Sequence, residues 1–323
     1  MMRAHGRERS VAIAIIVLAA ALALVRPAYF SPQNLNDLVL ANIGVLTVAL
    51  GTTLVIIAGE IDISVGSIFA VCSVAAGAAA VHGMPVAIAA FVACALGACL
   101  GLLNGVLVAL IGIPSIVVTL ATMIGLRAAL RWTTEGAWIE NLPAGFQWLG
   151  MTQRSFPLAA SAAAIAVTCA AAWTLRYSRA GRRVYAVGSN VDAARLAGID
   201  PARVKCTVFA IGGLLAGLGA VLNAARFNQV PSNGGLGLEM QVIAAAVVGG
   251  AAVGGGLGTV AGTVLGVVLL GGIGPALTFA GVSAYWERAL QGAIVLAAVA
   301  ADAIQSRHQE REPVRRAKAG RLA

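Results

Sequence analysis

Apolar runs of membrane-crossing length follow one another along almost the whole chain. They lie at 10–25, 38–58, 65–81, 85–110, 113–131, 157–175, 204–225, 240–252, 258–280 and 286–304. A helix needs about 20 residues to cross a hydrocarbon layer ~30 Å thick, and inside that layer a helix satisfies every backbone amide by itself. The interruptions are turn-like: Arg26-Pro27, Gly59 to Ser64, His82 to Pro85, and Gly112 to Pro114. The pattern predicts an all-α polytopic membrane protein of about ten transmembrane helices, forming a single domain over 1–323. One stretch is weaker. After a short apolar run, 240–258 carries Gly249, Gly250, Gly254, Gly255, Gly256 and Gly258. It reads either as parts of two full spans or as a short, re-entrant pair.

Composition excludes the alternatives. Hydrophobic residues make up 59% of the chain and charged residues 11%, with a mean hydropathy of +0.90. A soluble domain is about 45–50% apolar and about 25% charged. Aromatics are only 5%, whereas Gly contributes 39 residues. Small residues of this kind let membrane helices approach closely. The five cysteines lie in or beside apolar segments with no C-x-x-C pair, which suits buried thiols rather than a metal site or a disulfide framework.

The net charge of +9 comes from 22 Lys and Arg against 13 Asp and Glu. Most of the basic residues fall in three places: Arg3 to Arg9, the loop 176–203 with Lys205 just beyond, and the tail from Arg307 to Arg321. Ten crossings put all three on one side, so the positive-inside rule makes both termini and this loop cytoplasmic. No basic stripe interleaves with aromatics, which excludes nucleic acid as a partner. The apolar run at 10–25 reads as an uncleaved first span. On the opposite side, Trp132, Trp138 and Trp148 read either as an interfacial belt or as a docking surface for an external partner.

No catalytic constellation stands out. The three histidines are His5, His82 and His308, and neither H-E-x-x-H nor a Walker A motif occurs. The polar points in apolar sequence are candidates for a translocation path: Glu60, Asp62 and Ser64 in AGEIDISVGS, Asn104, Thr119 with Thr122, and Glu239. Two carboxylates within three residues at membrane depth are costly without water or partners. They mark a helix break that either exposes polar backbone or caps the next helix through Ser64 or Asp62. Asn104, Thr119 and Thr122 suit helix–helix hydrogen bonds equally well, and Glu239 suits a helix N-terminus. Arg127 and Arg131, one turn apart, read either as snorkelling side chains or as contacts for a polar solute. In the basic loop, Ser189 or Asn190 can cap a short helix through Val191, Asp192, Ala193, Arg195 and Leu196, ending at Gly198; Asp200 and Pro201 open the next one. Leu196 and Ala193 form a small apolar face suited to a lipid surface or to a groove on a partner.

Four stretches carry a resemblance that covers roughly 38–303 in order: GEIDISVGSIFAV, IPSIVVTLATMIGLRAAL, GRRVYAVGSNVDAARLAGI, and the C-terminal third from LEMQVIAAAVVGG onward. Each is similar to an element of bacterial ABC importer permeases of the ribose type. TEGAWIENLP and VPSNGGLGLEM look most like the autoinducer-2 and rhamnose permeases within that group. The sequence departs from the family pattern at Glu60, where an uncharged residue is usual, and at Ala121, where Gly is usual. The resemblance implies a non-enzymatic permease subunit in the bacterial inner membrane. It would move a monosaccharide or a related small neutral solute. A second copy or a paralogue would form the other half of the pathway. A cytoplasmic ATPase would grip the loop from Ser189 to Gly198 and hold the ATP and Mg2+, leaving this chain without a cofactor. A periplasmic binding protein would deliver the solute. The rival reading is a carrier driven by an ion gradient through Glu60 and Asp62.

Overall fold

A computed structural model describes residues 2–283, 286, 287, 289–294, 296 and 297. The elements are α1 (Met2–Val25), α2 (Pro32–Ile57), α3 (Val65–Val81), α4 (Val86–Ala109), α5 (Ser115–Thr134), α6 (Ser155–Tyr177), α7 (Arg179–Ser189), α8 (Val191–Leu196), α9 (Pro201–Ala224), α10 (Leu238–Val248) and α11 (Val260–Phe279). Among the described residues there is no strand, and the only β pairing is an isolated antiparallel bridge between Ile139 and Val230. Among the described residues, seven helices are long and apolar enough to cross a membrane, and α3 and α10 are shorter apolar helices. The expected tenth run begins with described helical residues between 286 and 297, but its remainder and the basic tail lie outside the described residues.

The helix starts follow local chemistry. Ser31 accepts from the amide of Asn34 ahead of Pro32, Asp200 from those of Ala202 and Arg203 ahead of Pro201, and Thr259 from that of Gly262. Each side chain occupies amide donors that the first turn leaves free. At the other end of α2 the chain turns through Gly59 at φ +85°, a conformation open to glycine without steric cost.

Helix α9 is the centre of the bundle. Gly44 and Gly51 of α2 face Gly219 and Gly212 of α9, so the two helices run antiparallel. On another side of α9, Gly97, Gly101 and Gly105 of α4 meet Gly213, Phe209 and Cys206, while Gly217 sits against Ala93 and Cys94. The glycines of α4 recur every fourth residue and line one helix face, so the two backbones touch without intervening side chains. That is the close-packing solution available where lipid removes the hydrophobic drive for helices to associate. The buried core, with Ile68, Phe209, Leu270 and Phe146 among its members, fills the space around this seam.

The short element expected near 240–258 is present as α10, but its neighbour α11 is a full-length helix rather than a second short arm. With 11 residues, α10 is ~16 Å long at 1.5 Å per residue, about half a membrane crossing. The non-helical segment 225–237 completes the distance. Its Val230 reaches Gly77 near the end of α3, and its Gly235 reaches Gly66 and Phe69 in the first turns of α3. Non-helical backbone at such depth is tolerated where it is enclosed by protein. After α10, the glycine-rich turn 249–258 leads into α11, which returns antiparallel, Gly262 against Gly249 and Gly266 against Ala245.

Candidate functional site

The break between α2 and α3 gathers five of the residues that the sequence singles out. Asp62 Oδ1 accepts from the Ser64 amide at 2.8 Å and from Ser64 Oγ at 2.6 Å. Asn104 Nδ2, on α4, donates to Ser64 Oγ at 2.8 Å, and Thr122 Oγ1, on α5, donates to Asn104 Oδ1 at 2.7 Å. Thr119 Oγ1 donates to the Ser115 carbonyl at 2.8 Å and lies 3.4 Å from the Ile61 carbonyl, and the Ile61 amide donates to Ser115 Oγ at 3.3 Å. Asp62, Ser64, Asn104 and Thr119 are all buried. The chain of bonds fastens the break to α4 and α5, and its members satisfy one another, as buried polar groups must. Neither Ser64 nor Asp62 caps α3 in the manner the sequence suggests. Ser64 occupies the cap position without a side-chain bond to the helix, and Asp62 binds Ser64 instead.

Two other candidate residues lie apart from this network. Glu60 forms an ion pair with Lys205 of α9, Oε1 to Nζ 2.5 Å, with both side chains largely buried. Lys205, which the sequence counts among the loop's orienting charges, thus holds the break to the first turn of α9. Glu239 opens α10, as expected of an acid at a helix N-terminus. Its Oε1 accepts from the Gly237 amide at 3.3 Å, and its buried Oε2 has no hydrogen-bond partner among the described residues. Its carboxylate packs against Gly66. The Arg127 guanidinium, from the middle of α5, donates to the carbonyls of Gly234 and Gly235 at 2.7 and 2.9 Å. It neither snorkels nor stands free: it pins the descending segment 231–237. Its spacing from Arg131 suggests an interfacial pair, but the contact that fixes it comes from residues more than a hundred positions away.

The basic loop folds into α7 and α8. Asn190, not Ser189, caps α8, its Oδ1 accepting from the Ala193 amide at 2.9 Å. Asp192 and Arg195 pair across one turn at 3.4 Å. Ala194 is buried, whereas Leu196 is 91% exposed. Val191 is half-buried, Ala193 is exposed, and Gly198 ends the helix at φ +76°. An exposed leucine alone needs no explanation, but one at the end of a capped helix of 6 residues, too short to persist alone, is held in place by what lies beneath it. That support is α7. Gly188 abuts the Ile57 carbonyl and the Gly256 amide, Ser189 packs against Gly256, and the Gly256 amide donates to the Ile57 carbonyl at 2.8 Å. The Tyr185 hydroxyl donates to the Gly258 carbonyl at 2.7 Å, and burial raises its pKa above the usual phenol value. The end of α2, the glycine-rich turn and the basic loop therefore meet in one backbone-to-backbone junction. Sequence reasoning did not single out Gly188, and it named Gly256 and Lys205 without finding the contacts they make here. The only signal for the first two is an excess of glycine.

On the opposite face, the segment 134–156 closes over 225–237. The Trp148 amide donates to the Ala225 carbonyl at 2.7 Å, and Ser232 Oγ to the Gly136 carbonyl at 3.0 Å. Trp132 and Trp138 are exposed, and Trp148 packs edge-on against Phe156.

Residues 34–299 match the family described as "Branched-chain amino acid transport system / permease component". Among curated relatives, the chain is 36% identical over 297 residues to the "Autoinducer 2 import system permease protein LsrC" of Enterobacter sp. (strain 638), covering 92% of this chain and 87% of that one. It is 34% identical over 305 residues to the protein of the same description from Photorhabdus luminescens, with 92% and 90% covered. The counterpart from Yersinia pseudotuberculosis serotype O:1b is 34% identical over 303 residues, with 92% and 85% covered. No solved structure matches the chain.

Proposed function

We propose that this chain, which belongs to the family of permease components described for branched-chain amino acid transport systems, is the transmembrane subunit of an ATP-driven, binding-protein-dependent importer of a small neutral solute. The relatives described as autoinducer 2 import permeases support an import role and a solute of monosaccharide size. The chain sits in the bacterial inner membrane with both termini and the α7–α8 loop in the cytoplasm, the orientation that the basic residues favour. A second copy or a paralogue completes the pathway. ATP and Mg2+ bind a partner ATPase, and a periplasmic protein docks on the face formed by 134–156 and 225–237.

The observation that carries this reading is the posture of α8. Leu196 points away from the chain on a capped helix whose base is clamped to the end of α2, so a partner that grips Leu196 and Ala193 pulls directly on the α2–α3 break. Leu196 inserts into a groove on the ATPase while Asp192 and Arg195 form the polar rim. Burying a leucine side chain contributes about 1.5–3 kcal/mol. Glu60 and Asp62, which an ion-gradient carrier would use, are occupied by Lys205 and Ser64, which favours the ATP-driven reading.

The test is to purify the tagged chain from its native membrane under mild solubilisation, alongside a Leu196→Asp variant. The wild type is expected to bring an ABC ATPase and a periplasmic binding protein with it. The variant is expected to insert normally, lose the ATPase and lose import. Import retained by a normally inserted Leu196→Asp chain refutes the role of α8, and a wild type that emerges alone refutes the importer.

A further inference from the structure

We infer that the cavity walled by α2, α3, the end of α9 and the start of α10 is a solute-binding site for one neutral, hydroxyl-rich molecule of monosaccharide size. The inference rests on the importer reading and deepens it by giving the solute a place and a chemistry. The cavity has a volume of about 210 Å3 and is lined by Gly44, Val45, Phe69, Asn223, Gly235 and Gln241, among others. Pockets for drug-sized ligands run to about 300–1,000 Å3, so this one takes a smaller molecule.

The lining has the composition of a binding site rather than of a packing flaw. Asn223 and Gln241 are half-buried, and neither side chain makes a hydrogen bond to the protein among the described residues. Each amide offers two N–H donors and a carbonyl acceptor. Two asparagines on the transmembrane helices are engaged instead. Asn104 bonds Ser64 and Thr122, and Asn42 donates to its own helix at Leu38. Asn223 and Gln241 both belong to the lining of this cavity. Phe69 adds an apolar wall of the kind the C–H face of a sugar ring covers, and Gly44 and Gly235 leave backbone rather than side chain at the surface.

Among the described residues, none of those lining the cavity is charged. An amino-acid zwitterion would bring a carboxylate and an ammonium, and ions taken from water without partners are heavily penalised. A hydroxylated neutral solute satisfies both amides without that cost. The larger groove of about 410 Å3 between α1, α2 and α11 is a poor rival. It is lined mainly by aliphatic side chains, and its polar members, Tyr29 and Asn42, already bond to the chain. The wall of the polar cavity is held firmly, since Arg127 fixes the Gly234 and Gly235 carbonyls and Gly235 packs on Gly66.

The experiment has two arms on the reconstituted complex of permease, ATPase and binding protein. In the first, import is measured for D-ribose, L-rhamnose and autoinducer 2, with L-leucine as the charged comparison. Asn223→Ala and Gln241→Ala are each expected to raise KM for the transported solute tenfold or more, with the chain still present in the membrane at normal level. A double variant whose KM changes less than twofold overturns the site. In the second arm, a cysteine-free background carrying Leu236→Cys, at a lining position that is neither amide, is treated with a charged methanethiosulfonate reagent. Labelling that one of the three neutral compounds slows at least fivefold, and L-leucine does not, is the expected result. A thiol that does not react, reacts without protection, or is protected by L-leucine alone overturns the proposal. If no compound is imported by the wild type, the importer reading fails for these solutes. The cavity is still judged by the second arm, which needs no transport.

Discussion

Replacing Gly217 of α9 with alanine tests whether the glycine seam holds the bundle by backbone contact. A Cβ there would lie 2.7 Å from the Ala93 carbonyl oxygen and 2.9 Å from the Cys94 Cα. Nonbonded heavy atoms rest at about 3.5–4.0 Å, so the two helices must part by ~1 Å. Both obstructing atoms are backbone, so no rotamer change relieves the clash. Overpacking of this kind costs about 1–3 kcal/mol. Alanine also gains about 1 kcal/mol of helix propensity over glycine, which would mask part of the loss. Gly125 of α5 isolates the contact, because a Cβ there meets nothing within 4 Å and Gly125→Ala gains the same propensity. The gap between the two variants is therefore the contact cost alone. At ~2–4 °C per kcal/mol, Gly217→Ala should melt several degrees below Gly125→Ala when the purified chain is heated in mild detergent and followed by tryptophan fluorescence. If Gly217→Ala melts at or above Gly125→Ala, the seam is not a backbone contact and the reasoning fails.

Three further outcomes are expected. Asn104→Leu leaves the hydroxyls of Ser64 and Thr122 short of a partner and should destabilise the chain by about 1–3 kcal/mol; adding Thr122→Val should recover part of that, and a melting-temperature cycle showing strict additivity contradicts the network. Gly188→Ala drives a Cβ into the Ile57 carbonyl and to 2.7 Å from the Gly256 amide. It should lower the solute imported per ATP hydrolysed in the reconstituted complex, and an unchanged ratio rejects the junction as a relay. Arg127→Lys keeps the charge but loses the two-pronged grip on Gly234 and Gly235; hydrogen exchange at 231–237 should accelerate, and unchanged exchange shows that the grip is not what orders the segment.

The helices were largely legible, and the reason is physical. Apolar length and the turn residues at 26–27, 59–64, 82–85 and 112–114 report a constraint imposed locally by lipid on each segment. The rule that an isolated polar residue in an apolar run needs a partner also selected Asp62, Ser64, Asn104, Thr119 and Thr122, which prove to bond one another or the same break. What the rule cannot say is which partner. Glu60 is separated from Asp62 by its bond to Lys205, and Glu239 lies against Gly66 rather than with the network. Nothing in the sequence singles out Phe69, Asn223 or Gln241. The cavity they share is made by four elements distant in sequence, and no local pattern encodes it. The descent of 225–237 was hidden for the same reason, since its depth is set by Arg127 and Gly66.

The seam between α4 and α9 has an entropic consequence. A side-chain interface loses rotamer freedom when it closes, up to about 2 kcal/mol for a long side chain. Where Gly97, Gly101 and Gly105 meet Gly213 and Gly217's helix, there are few rotamers to lose. Glycine's own handicap, its extra backbone freedom, has already been met when lipid forces each segment into a helix. The seam therefore closes at little entropic cost. It also offers no alternative packings of comparable energy, so α4 and α9 behave as one stiff post about which the less tightly joined helices must move.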